Sequence, residues 1–381
     1  MSFALTIPAR INILGNPSDA NEGDFATLSA AVDLYAGALV ESCPTILLQV
    51  LESKPQPASQ RPATSEQVEY LPSQLPLPYD GQMDLVKAAI NRLYRFSPEF
   101  REKVHQQGIC LSFWSEVPRQ SGLGGSSLFV LLTLGSLREY YNLDRRFHND
   151  YILSELTQRA ESLELGITCG FADRYVPLFG GLAYLDYRGK LHHCPIGEEP
   201  FVTYERLDAW VSDLPIVAVS TGIPHDSGDV HGRMRPRYLQ EHQEWISQGG
   251  SPPPMVQFMS AAWETAWKGK IALLANDLET FGQLMNENHR IVDRMMQYCG
   301  FEDGAGWANN LLIQAALQGG ALGAKLTGAG SGGSVFALTR PDEEQRLIAV
   351  WQAAVERAGL TSAYIYRPRI SRQGLTVQEL E

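Results

Sequence analysis

The chain has few cysteines, no long apolar run and no excess of basic charge, and each shortage removes a class of function. Its five cysteines, Cys43, Cys110, Cys169, Cys194 and Cys299, form neither a CxxC pair nor a zinc-ligand spacing, which argues against a disulfide scaffold or a structural zinc site. No uninterrupted apolar segment approaches the ~20 residues that a membrane-spanning helix needs. The 31 Lys and Arg are outnumbered by 43 Asp and Glu, a formal net charge of -12. That balance disfavours a broad nucleic-acid surface or an anionic-membrane surface, so a negatively charged ligand would need Arg, Lys or backbone N–H groups concentrated in a local pocket. No basic-apolar leader is evident, and with these cysteines we expect a reduced, cytoplasmic setting.

Low-complexity tracts and internal repeats are also lacking. The 34 Gly and 22 Pro are dispersed and mark turns and special backbone positions. What is present is enough for two packed units: 381 residues with 44% hydrophobic content can fill two cores. A change near residues 190–212 leads us to expect one domain over 1–205 and a second over 206–381.

Phe3 to Leu14 alternates with few charges and reads as strand. Residues 52–80 are broken by prolines and read as a surface excursion. Cys110 to Val117 is strand-like, Pro118 to Gly125 turn-like, and Ser126 to Tyr141 carries a helical apolar stripe. A helix over Tyr151 to Leu165 and a strand over Leu182 to Tyr187 follow. Beyond the division we expect a strand at Leu214 to Ser220, helices over 255–275 and 277–298, and two strands around a glycine turn within 322–338. A helix over Glu343 to Arg357 and a strand over Thr361 to Tyr366 complete an α+β reading.

Two glycine-rich segments carry the chemistry. In PRQSGLGGSSLF, residues 118–129, Gly122, Gly124 and Gly125 with Leu123 let backbone N–H groups approach a phosphate at a helix start. Ser126 or Ser127 adds a hydroxyl for phosphate or for phosphate-bound Mg2+. The plainer alternative is a serine-capped turn. KLTGAGSGGSVF, residues 325–336, places Gly328, Gly330 and Gly332 between two strands, where they serve either an ordinary hairpin or a cover over the first loop. Lys325 either adds charge there or faces solvent. Neither segment has the Walker GxxxxGK[ST] or a dinucleotide-binding GxGxxG with its acidic partner.

Three polar constellations could serve an acceptor. Asp173 in GITCGFADRYVPLFGG, residues 166–181, is placed to deprotonate a hydroxyl, with Arg174 orienting it, contacting an anionic substrate or forming a structural pair. Glu161 or Glu164 could hold a metal ion. PARINILGNPSD, residues 8–19, combines Arg10 with Asn12, Asn16 and Asp19, and offers Arg10 for transition-state charge and Asn16 and Asp19 for acceptor hydroxyls. HDSGDVHGRMRPRY, residues 225–238, offers Arg235 and Arg237 for a carboxylate and His231 as a hydrogen-bonding group, or is a solvated surface. His225 and His231 are too far apart in sequence to make a convincing metal pair.

Taken together, PARINILGNPSD, SGLGGSSLF and KLTGAGSGGSVF resemble the three ordered motifs of the GHMP small-molecule kinase superfamily. The resemblance implies an ATP-dependent kinase with an N-terminal ribosomal-S5-like α/β domain and a C-terminal ferredoxin-like domain. It also implies Arg10 and Asp173 as the catalytic basic and acidic positions, Ser126 as the magnesium-associated serine and Asp19 as part of the acceptor motif. ILGNPSD, ELGI, ADRYVPLFGGLAYLDY, DSGDVHGRMRPRY and LMNENHRIVDRM further resemble the glucuronokinase branch. That implies phosphorylation of the anomeric hydroxyl of D-glucuronate, with galacturonate, arabinose, galactose or a heptose phosphate as alternative acceptors. A noncatalytic regulator that binds nucleotide or sugar phosphate is the alternative from another class. The chain departs from the pattern at Gly125, where many members have serine, and at Ala172, where the plant enzymes usually have glutamine. Asn16-Pro17 stands in place of the Glu-His common in galactokinases. The expected partner is a sugar or sugar acid, and the sequence is compatible with a monomer or a homodimer.

Overall fold

Leu5, Ile7, Ala9, Ile11 and Ile13 recur at every second position and are buried, the period of a strand with one face on a core. They lie on β1 (Phe3–Leu14), whose second half is buried on both faces. The computed structural model describes residues 2–21, 23–55, 62–118, 120–190, 194–211, 213–224 and 227–380. Arg119, His225 and Asp226, within segments singled out above, lie outside the described residues.

The remaining strands are β2 (Ala26–Cys43), β3 (Ile46–Leu51), β4 (Thr64–Tyr70), β5 (Gly108–Ser115), β6 (Leu182–Asp186), β7 (Thr203–Arg206), β8 (Ile216–Ser220), β9 (Gly323–Thr327), β10 (Ser334–Leu338), β11 (Tyr364–Tyr366) and β12 (Thr376–Glu379). The helices are α1 (Asp84–Phe96), α2 (Pro98–Val104), α3 (Gly125–Tyr140), α4 (Asp150–Arg159), α5 (Ala172–Phe179), α6 (Ser227–Gln248), α7 (Pro254–Leu274), α8 (Leu278–Tyr298), α9 (Trp307–Gln318) and α10 (Glu344–Ala358). A π-helical turn, Ala160–Glu164, continues α4.

The first sheet runs β12-β1-β2-β5-β3-β4, with β6 also pairing β2 and β7 pairing β6. β3 and β5 are parallel, while β1 and β2 pair antiparallel with Arg10 opposite Ala31. The second sheet is antiparallel in the order β11-β8-β10-β9. One apolar cluster joins Leu5, Leu128 and Leu182 of the first half to Phe281, Met285 and Phe336 of the second, so the two sheets share a core where their loops meet. β7 ends at Arg206 and β8 opens the second sheet at Ile216. The last strand returns to the first sheet, with Phe3 opposite Glu379, a crossing that a division into 1–205 and 206–381 does not express. Among the described residues no helix is long and apolar enough to cross a membrane.

Two segments differ from expectation. The excursion at 52–80 contains β4, which pairs with β3 through Leu48 opposite Val68; Pro62 and Pro72 flank the strand rather than interrupt it. The polar segment ending at Tyr238 lies in α6, where Val230, Met234 and Tyr238 recur at four-residue spacing and are buried with Met255 and Met259 of α7. That stripe gives the helix a buried face despite its polar composition.

Candidate active site

β1 delivers Arg10 and Asn12, and the turn that follows it Asn16, to the place where both glycine segments converge. Arg10 Nε donates to Asp173 Oδ1 at 2.5 Å, and its Nη1 donates to the Gly122 carbonyl at 2.7 Å. One buried guanidinium therefore touches both the carboxylate and the first glycine loop. Asn12 Nδ2 reaches the same Asp173 oxygen at 3.3 Å, and Ser29 Oγ fixes the amide by donating to Asn12 Oδ1 at 2.9 Å. The Asn12 backbone N–H donates to Thr327 Oγ1 at 3.0 Å, and Asn16 Nδ2 to the Gly328 carbonyl at 3.2 Å, which ties β1 to the second loop.

The two loops lie against each other. Gly122 has φ +73°, and a Cβ there would stand 2.8 Å from the Thr327 carbonyl oxygen; at Gly328, φ +79°, a Cβ would stand 3.0 Å from Gly122 Cα. Only glycine accepts that backbone and that approach without strain. Gly124, φ +81°, caps α3, which begins at Gly125. The free N–H groups of that first turn, at Gly125, Ser126 and Ser127, are the donors that suit a phosphate. In the second loop, Gly330 packs near Met296, and the Gly332 carbonyl accepts from Asn309 Nδ2 at 2.9 Å. These two glycines shape the loop's far side, while Gly328 and Gly333 meet the first loop.

Asp173 sits in the first turn of α5. Its side chain retains 22% exposure, whereas Arg10 retains 3%, so solvent or a ligand reaches the carboxylate from one side. Burial would raise its pKa, but the charges of Arg10 and Arg174 and the hydrogen bonds from Arg10 and Asn12 outweigh it and hold the carboxyl well below the usual carboxylate range. Arg174 Nη1 lies 3.5 Å from Asp173 Oδ2, and its Nη2 donates to Glu161 Oε2 at 2.5 Å.

Asp19 lies in a buried 3-10 turn, Ser18–Ala20, and its Oδ2 accepts from the N–H groups of Phe171 and Ala172 at 3.1 and 3.0 Å. Burial and the neighbouring Asp173 charge raise its pKa against the Ala172 bond and the two arginines. Glu161 is likewise raised by burial, opposed by Arg174 and Ser127. Among the described residues Glu161 Oε1 is buried with no partner at hydrogen-bond distance, although the Ser127 hydroxyl stands close to the carboxyl, while Ser126 is exposed at the start of α3. An unsatisfied carboxylate oxygen and a hydroxyl are hard donors that fit Mg2+. Among the described residues no group of three or more His, Cys, Asp or Glu forms a metal cage, so phosphate oxygens and water would complete such an ion's shell.

The three candidate arginines have separate partners. Arg174 is taken up by Glu161 and Asp173. Arg235 is 8% exposed and donates to the Ala20 carbonyl at 2.8 Å, beside Asp19. Arg237 donates to the Tyr298 carbonyl at 2.6 Å and pairs with Glu241, on the surface where α6 meets α8. Sequence reasoning gave no site role to Ser29 or Thr327, and left Lys325 between adding charge at the loop and facing solvent. Lys325 is fully buried rather than solvent-facing; its place on a short apolar strand immediately before the glycine loop was the available signal.

Comparison with known proteins follows the same geography. The model described as GHMP kinases N terminal domain matches residues 84–181, which include the first glycine loop and Asp173. The model described as GHMP kinases C terminal matches residues 270–357, which include the second loop. Glucuronokinase 1 of Arabidopsis thaliana is 29% identical over 355 residues, 93% of this chain and 89% of that protein. A D-glycero-alpha-D-manno-heptose 7-phosphate kinase of Campylobacter jejuni is 24% identical over 350 residues, 90% of each chain. Lactococcus lactis galactokinase, solved with galactose, shares the fold at a TM-score of 0.75 and 20% identity, covering 98% of this chain and 95% of that one.

Proposed function

Because the chain belongs to the GHMP kinase family and carries both of that family's domains, we propose that it transfers the γ-phosphoryl group of ATP to the anomeric hydroxyl of D-glucuronate, yielding D-glucuronate 1-phosphate and ADP. The observation that carries the reading is Arg10 bridging Asp173 to the glycine loop at Gly122. A proton acceptor and a phosphate cradle thereby share one rigid contact, the arrangement that positioning for phosphoryl transfer requires.

In this mechanism the first turn of α3 and the loop glycines hold the triphosphate, and Gly328 closes against Gly122. The acceptor oxygen attacks the γ-phosphorus, the bond to the β,γ-bridging oxygen breaks, and the hydroxyl proton passes to Asp173. A carboxylate held this far below its usual pKa is ionised at neutral pH but weakly basic. Proton transfer therefore follows once bond formation to phosphorus has acidified the hydroxyl. Arg10 stabilises the negative charge that develops between the reacting oxygens. Ser126 and Glu161 would hold Mg2+, which when bound neutralises charge on the β- and γ-phosphates. Arg235 would recognise the sugar carboxylate, because it is buried and fixed to the acceptor turn at Ala20, beside Asp19.

The test is Mg2+-dependent ADP release coupled to sugar-phosphate formation across glucuronate, galacturonate, glucose, galactose, arabinose, a heptose phosphate and mevalonate. Preferential turnover of glucuronate to a product phosphorylated at C1 is expected. Exclusive turnover of a neutral sugar overturns the acceptor and leaves the kinase chemistry standing.

A further inference from the structure

Lys325 is a buried basic residue that the transfer mechanism leaves unused. Its side chain rises from β9, and Nζ donates to the Asn12 carbonyl at 3.2 Å, to Asn16 Oδ1 at 3.0 Å and to the Leu326 carbonyl at 2.7 Å. All three partners are neutral oxygens, and among the described residues no salt bridge reaches it. An ammonium has three N–H donors, so these acceptors use them all; a neutral amine has only two and would turn its lone pair toward an oxygen.

The partners belong to the elements that must stay in register. Asn12 holds the Asp173 carboxylate through its amide, and Asn16 holds the Gly328 carbonyl. Lys325 thus fastens the base-bearing side of the cleft to the second glycine loop. The group is dry: it is 0% exposed, with the Phe336 ring of β10 5.4 Å from Nζ. The charged and titratable surroundings are Arg10 and Asp173 beyond Asn12 on the β1 side and His289 on α8. Burial and the Lys325 charge lower the His289 pKa to about 4, so that imidazole is neutral near pH 7.

We propose that Lys325 is a positioning residue whose protonated form locks the cleft, and that binding of a nucleoside polyphosphate between the glycine loops draws a proton onto it. The inference rests on the reading of those loops as the nucleotide site. Asn16, which accepts from Nζ, itself donates to the Gly328 carbonyl of the loop read as the nucleotide site, so negative charge added at that loop would act on Nζ through a buried, weakly screened path. Burial lowers the lysine to about 7 in the ligand-free protein, which leaves it partly neutral at and above that pH. A bound anion favours the charged form and raises the value. Protons are therefore taken up on binding, and nucleotide affinity falls as pH rises from the free-state value toward the bound-state value, by up to about tenfold per pH unit for one linked proton.

The experiment is calorimetric titration of MgADP into the full-length protein at pH 7.5 and 8, in two buffers of different ionisation enthalpy. Wild type is compared with Lys325→Arg, which keeps a permanent cation, and Lys325→Met, which removes it. The nucleotide's own titration is common to all three proteins. The expected result is uptake of a substantial fraction of a proton by wild type and none by a folded variant beyond the nucleotide's share. Equal uptake by wild type and a folded variant overturns the inference, as does absence of uptake in wild type whatever the variants do. A wild type that binds no MgADP overturns the nucleotide-site reading and this inference with it.

Discussion

Arg10 and Asp173, 163 residues apart in sequence, meet at 2.5 Å with the arginine nearly sealed from solvent and the aspartate open on one side. The contact is more than charge pairing, because the same guanidinium also takes the Gly122 carbonyl. Lysine is a point charge with no planar fork and cannot satisfy both partners in this geometry. Arg10→Lys is therefore expected to fold and to bind nucleotide while kcat falls by about 10²–10³-fold, the cost of one preorganised charge-stabilising group. Steady-state kinetics with a saturating acceptor check this, and a kcat within threefold of wild type would remove Arg10 from the mechanism.

Two glycines of the first loop should respond in opposite ways to a side chain. Gly122 has positive φ, and a Cβ there would press on the Thr327 carbonyl at 2.8 Å. Gly122→Ala should cost about 1–3 kcal/mol and weaken nucleotide binding by prising the loops apart. At Gly125 a Cβ would meet only Val117 Cγ1, at 3.8 Å, within an α-helix. Gly125→Ser should change stability by no more than about 1 kcal/mol, in the stabilising direction. Thermal melts with and without MgADP separate the two.

Asp19 should trade stability for binding. Its carboxyl is raised above the usual range, chiefly by burial, so the ionised form is disfavoured in the folded state. The cost is present above the folded-state pKa and disappears as pH falls below the ordinary carboxylate value. Asp19→Asn can still accept from Phe171 and Ala172, and it should melt at or above the wild-type temperature at pH 7–8, with the difference shrinking on acidification. Acceptor KM should rise at least tenfold. A melting point several degrees below wild type at pH 8 would contradict this account of the burial.

A second charge cluster braces α5 from behind. Lys190 Nζ donates to Glu155 and Glu199, Arg159 pairs with the same two carboxylates, and Tyr175 of α5 donates to Glu155 Oε1 at 2.5 Å. The four charged side chains are each no more than 2% exposed. Removing Lys190 takes a buried cation away from two buried carboxylates, so Lys190→Met should destabilise by about 3–5 kcal/mol. Denaturant unfolding measures it, and a loss under 1 kcal/mol would show that the cluster relaxes or hydrates freely.

The readable parts of this molecule were those with local signals. β5, the glycine turn and α3 follow one another as an apolar strand, a run of small residues and an apolar helix, each set by its own residues. β2 was not legible. Ala26–Cys43 is rich in alanine, a helix former by intrinsic preference, yet it is an 18-residue strand because β1, β5 and β6 all pair with it. The helix carrying Asp173 was hidden by its flanking glycines and by Pro177, which cannot donate to the Asp173 carbonyl four residues back. Within the site, motif order brought Arg10, Asp173 and the two loops together on paper. Lys325 stayed ambiguous because a lone lysine usually faces water, and only the tertiary convergence of Asn12, Asn16 and Leu326 supplies enough acceptors to bury it.

Single-turnover kinetics of Asp173→Asn decide whether Asp173 receives the acceptor proton during phosphoryl transfer. With MgATP and glucuronate prebound, the amide variant should keep nucleotide affinity within a fewfold while formation of sugar 1-phosphate slows by about 10²–10⁴-fold. A folded Asp173→Asn protein that forms product at a rate near that of wild type would mean that the acceptor proton leaves by another route.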